Sequence, residues 1–241
     1  MISQGSLLTS INMLAPEYLT FFAMLFGAFL IGLTPLRLPL QWLEPFYHEL
    51  SHALAAVLTW GRVGRIKLNF DGSGWCTTGG GSRLIILLAG YTGAAFWGGG
   101  LYILGWLSQH YGAGGNAMPL IYFQLGVLAV AVVLWVRDPL TLIILGFAGA
   151  LYGLPAYYPA LHEYSGFIVQ FIGLYVLLNA IRAPLHLLDA RHMGDGAMLF
   201  DMTFIPEFVW VFLWFAFACA ILLGIAILTL PGANVILWWL T

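Results

Sequence analysis

Residues 44–61, EPFYHELSHALAAVLTWG, read at first as one more apolar stretch in an apolar chain. They nevertheless carry His48, Glu49 and His52, ionisable side chains that are costly inside a bilayer and default there to a functional role. The two histidines are four residues apart. On a helix that spacing puts both imidazoles on one face, with Cβ atoms about 5–6 Å apart, so both can reach one ion. Together with Glu49 they spell H-E-x-x-H, in which two histidines bind zinc and the glutamate serves as general base. Neutral imidazoles bind Zn2+ strongly, and three protein ligands leave a fourth position for water. The ion lowers the pKa of that water to about 7. Glu49 would accept the proton and deliver it to the departing amine. Pro45 either starts the helix or kinks it near the site.

The rest of the 241-residue chain says where this motif lies. Hydrophobic residues make up 61% and charged residues 7%, against about 25% charged in a soluble domain. Mean hydropathy is +0.93. So few polar side chains cannot cover a water-facing surface, so the fold class expected is an all-α polytopic membrane protein. A single membrane domain over residues 1–241 is expected. The net charge of −2 offers no basic field, and no nucleic-acid partner is expected. Cys76 and Cys219 sit in a polar loop and an apolar run, so no disulfide is expected. The N-terminal residues show no positive region or cleavage site, and no cleaved signal peptide is expected.

Seven runs are candidates for membrane spans, namely residues 18–34, 40–60, 84–107, 119–136, 140–158, 164–181 and 206–230. About six to seven transmembrane helices are expected, since a re-entrant segment would change the count. Arg62, Arg65, Lys67 and Arg83 flank the gap after the second run, Arg137 follows the fourth, and Arg182 and Arg191 follow the sixth. These gaps share one parity, which puts them in the cytoplasm and makes Arg37 the exception. Residues 61–83 alternate and then turn at Asp71-Gly72, as a short cytoplasmic β-hairpin does. Residues 182–205 are too polar to span and too apolar for a plain loop, which fits a re-entrant or interfacial segment before the last helix. The tail PGANVILWWLT has paired Trp residues and reads as interfacial. His186, Asp189 and His192 read as a headgroup-facing rim rather than a second metal site.

A third ligand is needed, and Asp195 in Gly-Asp-Gly is the best candidate, because the flanking glycines allow close approach to an ion. The same residue reads equally well as a helix N-cap.

At these residues the chain resembles the site-2 protease superfamily of intramembrane zinc metalloproteases, in its compact bacterial branch without a PDZ domain. HELSH at 48–52 carries the resemblance, with GRVGRIKL at 61–68, AGYTGAAFWG at 89–98 and GDGAMLFDMTFIPEFVWVFLW at 194–214. The likeness covers roughly residues 40–215. It implies zinc ligation by His48, His52 and Asp195, with Asp189 next in line for the third place, and Glu49 as the base. The late motif lacks the Asn-Pro that precedes the aspartate in the better-studied branch. The resemblance also implies that the hairpin holds substrate as an added strand, a role that falls here on residues 66–70, Leu68 and Phe70 among them, and on Gly79, Gly80 and Gly81.

The function expected is a zinc endopeptidase that cleaves a membrane-anchored protein from the cytoplasmic side of a cell's inner membrane. Its partners would be the lipid bilayer and a membrane-protein substrate. A non-catalytic subunit that keeps this fold and packs against partner subunits is the alternative, since a motif shows capacity and not use. A transporter is weaker, because only one polar constellation lies in a span and no inverted repeat is visible.

Overall fold

A computed structural model of the chain describes residues 16–112, 116–189 and 194–231. Its helices are α1 (Pro16–Gly32), α2 (Leu43–Leu58), α3 (Arg83–Tyr111), α4 (Met118–Trp135), α5 (Pro139–Tyr157), α6 (Ser165–Arg182), α7 (Asp195–Thr203) and α8 (Glu207–Thr229). Strands β1 (Arg62–Leu68) and β2 (Gly74–Gly79) form one antiparallel hairpin. Prolines begin several of these helices, where the missing N–H costs nothing. At α5, Pro139 follows Asp138, whose carboxylate accepts the Thr141 N–H at 3.0 Å. Among the described residues, five segments are long and apolar enough to cross a membrane: α3, α4, α5, α8, and α6 with its flanking turns over Pro159–Leu188. The shorter α1 is also apolar. The chain is a multi-pass membrane protein.

Contacts fix the relative directions of α1, α2, α3 and α6. Gly98 of α3 packs on Leu177 of α6, and Gly105 on Gly166 and Gln170, so these two helices are antiparallel. Their glycines let the backbones approach, as small residues do in membranes. Gly27 of α1 faces Phe171 and Gly32 faces Arg182, so α1 runs with α6. Tyr47 of α2 stacks on Trp97 at 5.0 Å, and five residues later the His52 Nδ1 bonds the Ile86 carbonyl, so α2 runs against α3. Hence α1 and α2 point the same way.

This parallel pair corrects the expected spans. Residues 18–34 and 40–60 do not make two crossings. They are joined by residues 33–42, which include 3-10 turns at Pro35–Arg37 and Leu40–Trp42. At about 2.0 Å rise per residue such a connection cannot return across about 30 Å of hydrocarbon. The 16 residues of α2 cover only about 24 Å at 1.5 Å each. Taken as one broken crossing, α1 and α2 bring the number of crossings among the described residues to six, within the expected six to seven. Arg37, the expected exception to the charge pattern, lies in this connection. It borders the same cavity as Arg83 and Arg182. At the opposite end, the Tyr18 hydroxyl donates to the Pro231 carbonyl, so α1 begins where α8 ends.

α2 starts deep in the bundle. Its Tyr47 hydroxyl donates to Gln124 Oε1 at 2.9 Å and pairs with the Tyr152 hydroxyl at 2.9 Å, a satisfied buried network linking α2, α4 and α5. The hairpin lies along α2. Ile66 bridges Val136, and the Leu68 N–H donates to Thr141 Oγ1 at 2.9 Å. The turn uses Gly72 at φ 89°, as the Asp-Gly signal anticipates. Beside it, the Asp71 carboxylate accepts the Ser73 N–H and hydroxyl, which holds its carboxyl below the usual range.

The segment before the last helix, expected to be re-entrant or interfacial, is broken into short pieces among the described residues. It contains a 3-10 turn at Ala183–Asp189 and the nine-residue α7, which is too short to cross. Met198, Phe200, Met202 and Phe204 are exposed along it. Residues 232–241, most of the expected interfacial tail, lie outside the described residues.

Candidate metal centre

The i, i+4 spacing of His48 and His52 does on α2 what helix geometry requires. The two Nε2 atoms are 2.9 Å apart. Asp195 Oδ2, 143 residues further along than His52, lies 3.1 Å from each of them. Three donor atoms thus form a nearly equilateral triangle. A tetrahedral ion with bonds of about 2.0–2.2 Å holds its ligand atoms about 3.3 Å apart, so the residues fit one ion with a small outward adjustment. The chemistry of the donor set agrees. With its Nδ1–H given to the Ile86 carbonyl at 2.6 Å, the His52 Nε2 carries a lone pair. That lone pair and the Asp195 carboxylate are both acceptors, and a shared cation satisfies them together.

Asp195 reaches this point because of its neighbour. Gly194 is the N-cap of α7 at φ 102°, a conformation that side-chain-bearing residues rarely adopt, and no side chain caps the helix. Asp195 is therefore the first helical residue, with its carboxylate turned to the histidines and not to its own helix. Pro45 is the third residue of α2, within its first turn, where its missing N–H removes no bond within the helix.

The model of the Peptidase M50B-like family matches residues 19–225. The chain belongs to this family. The membership agrees with the site-2 protease likeness of the motifs. No curated protein and no solved structure matches the chain.

In this M50B-like chain the stretch AGYTG at 89–93 has a structural reason that its sequence did not disclose. A Cβ at Gly90 would lie 2.6 Å from the rings of both His48 and His52. The Tyr91 ring meets the His48 ring edge-on at 4.4 Å and leans on Trp214 of α8 at 4.6 Å. Gly93 gives room to Ser51. Gly90 lies seven residues after Arg83, so the histidines sit about 10 Å inside the start of α3. The A-G-Y-x-G pattern could have been read this way only with the facing helix known.

Glu49 is buried and borders a cavity of about 1000 Å3 together with His48, His52 and Asp195. Gly74 of β2 lies against it, where a Cβ would come within 3.1 Å of its carboxylate, and the Cys76 backbone amide is within hydrogen-bonding reach. The strand bordering the cavity is thus β2, through residues 74–78. The residues expected to hold substrate lie elsewhere. Leu68 is buried with its N–H bonded to Thr141. Phe70 is at the hairpin tip, its carbonyl accepting from Gln41 and Trp42. Gly79 ends β2, and Gly80 and Gly81, at φ 69° and 72°, pack on Gly61 at the hairpin root. None of the five borders the cavity. His186 does border it, His192 lies outside the described residues, and Asp189 ends the 3-10 turn.

Proposed function

We propose that this chain is an intramembrane zinc endopeptidase that hydrolyses a peptide bond of a membrane-anchored protein. The observation that supports this most is the meeting of His48, His52 and Asp195 at one point, with Glu49 beside them on a polar cavity inside a membrane bundle. His48, His52 and Asp195 would hold the ion. When bound, zinc supplies Lewis acidity that polarises a carbonyl and acidifies water. Glu49 is the general base: its carboxylate accepts a proton from water in the cavity and passes it to the departing amine. The Cys76 amide keeps that carboxylate aimed.

A membrane helix hides its peptide bonds in internal hydrogen bonds, so the substrate must unwind before it is cut. The edge of β2 beside Glu49 offers backbone groups to an unwound segment, the strand-addition mode. This moves the substrate-holding role from Leu68, Phe70 and Gly79–Gly81 to residues 74–78. Arg83, Arg137 and Arg182 gather at one end of the bundle, and the positive-inside rule assigns that end to the cytoplasm. The chain then belongs in a cell's inner membrane with its site open to the cytoplasmic side.

The test uses Glu49→Gln. The variant retains stoichiometric zinc while cleavage of a co-expressed candidate membrane substrate falls by about 10^2–10^4-fold. Undiminished cleavage by that variant refutes the assignment of the base, and loss of its zinc refutes a purely catalytic role.

A further inference from the structure

Helix α2 carries a second buried carboxylate that the proposed reaction leaves without a task. Glu44 lies four residues before His48, one turn deeper into the bundle, and only 7% of its surface is exposed. It borders the cavity, and its Oε1 has no hydrogen-bond partner. A buried polar atom without a partner is costly and needs a reason.

The two histidines differ in how their outer nitrogens are held. The His52 Nδ1 is fixed by the Ile86 carbonyl. His48 turns its Nε2 to Asp195 and to His52, which leaves Nδ1 as its outer nitrogen, and among the described residues no hydrogen bond reaches it. An unpaired acceptor on Glu44 and an unpaired ring nitrogen on His48 therefore stand at positions i and i+4 of one helix. Side chains at that spacing are neighbours, and the two are within electrostatic reach of each other. Metal-bound histidines almost always donate their outer N–H to a carboxylate or carbonyl, which sets the tautomer and the ring orientation.

We infer that Glu44 is the positioning carboxylate of His48, accepting its Nδ1–H so that the Nε2 lone pair faces the metal. The inference rests on the zinc reading above. The motif of this chain is then E-x-x-x-H-E-x-x-H, with one histidine oriented by the backbone of α3 and the other from within its own helix. Glu44 acts through His48 and does not touch the reacting atoms.

The test needs no substrate. Full-length chain is purified in detergent, zinc affinity is measured by competition with a chelator, and the thermal midpoint of the metal-free form is recorded beside it. Glu44→Leu weakens zinc binding about 10–100-fold without lowering the metal-free midpoint. Glu44→Gln keeps an acceptor oxygen and recovers most of the affinity. With cobalt in place of zinc, the visible spectrum of Glu44→Leu shifts and that of Glu44→Gln stays close to wild type. Zinc affinity of Glu44→Leu within twofold of wild type overturns the inference and leaves the metal centre standing. A matching fall in the metal-free midpoint also overturns it, by showing a structural role. If wild type binds zinc no better than His48→Ala, the metal centre and the inference fall together.

Discussion

The proposed zinc ligands come from two regions built on opposite plans. The α2–α3 contact is dense. Gly90 admits both imidazoles, Gly93 admits Ser51, Tyr47 stacks on Trp97, and Ile86 fixes His52. Asp195 instead opens the nine-residue α7, whose Met198, Phe200 and Met202 are exposed and whose first turn depends on one glycine at φ 102°. Two ligands are held by packing, and the third is held by a backbone turn. The difference teaches that affinity in such a site is most vulnerable on α2–α3 and most adjustable on α7.

The largest effect is expected from removing a packed ligand. His52→Ala should drop zinc content, measured by metal analysis, below about a tenth of wild type, since a structural or catalytic zinc needs at least three protein ligands. Gly90→Val comes next. Its side chain would occupy the space of both rings, and overpacking of this kind costs about 1–3 kcal/mol. Both zinc content and the midpoint of thermal unfolding should fall. If Gly90→Val binds zinc normally, the dense region is more compliant than its contacts imply.

A smaller and more selective effect is expected on the other side of the comparison. Gly194→Ala must adopt a conformation that costs about 1–3 kcal/mol outside glycine, and its Cβ would lie 3.0 Å from Leu187. Letting Asp195 go relieves that strain, so zinc affinity should fall about tenfold while the metal-free protein melts near wild type. An equal loss of metal-free stability would erase the distinction between the regions.

The least effect is expected outside both regions. Asp71 at the hairpin turn has its carboxyl lowered by the backbone and hydroxyl of Ser73. A group whose folded pKa is depressed adds stability above its unfolded value and loses it as pH falls through the folded one. The hairpin tip should therefore loosen only as pH drops below about 3.9. Fluorescence of Trp75 near the tip should report this, and Asp71→Asn should remove the pH response.

Much of this was legible in the sequence. Composition required a membrane fold, Asp71-Gly72 marked the hairpin, and His48 and His52 declared a shared face by spacing alone. Each of these is a local signal. What was not legible depends on direction and on distant partners. Hydropathy measures the length of residues 40–60 but not whether they run with or against residues 18–34, so one broken crossing read as two. Strand alternation marks a hairpin but not which arm borders the site, so Leu68 and Phe70 were expected where Gly74 and Cys76 lie. For Asp195, spacing left ligand and cap equal, and only the φ of Gly194 decides how its carboxylate turns.

The broken first crossing has a consequence for supply. Backbone groups in an irregular segment are tolerated at bilayer depth only where protein or water satisfies them, and Arg37 and Gln41 of this interruption border the same cavity as Glu49. Under the proposed reaction, the gap between α1 and α2 would serve as an inlet for water. The proposed hydrolysis would consume one water per bond cut, and the interruption would admit that reactant at a depth where lipid otherwise excludes it.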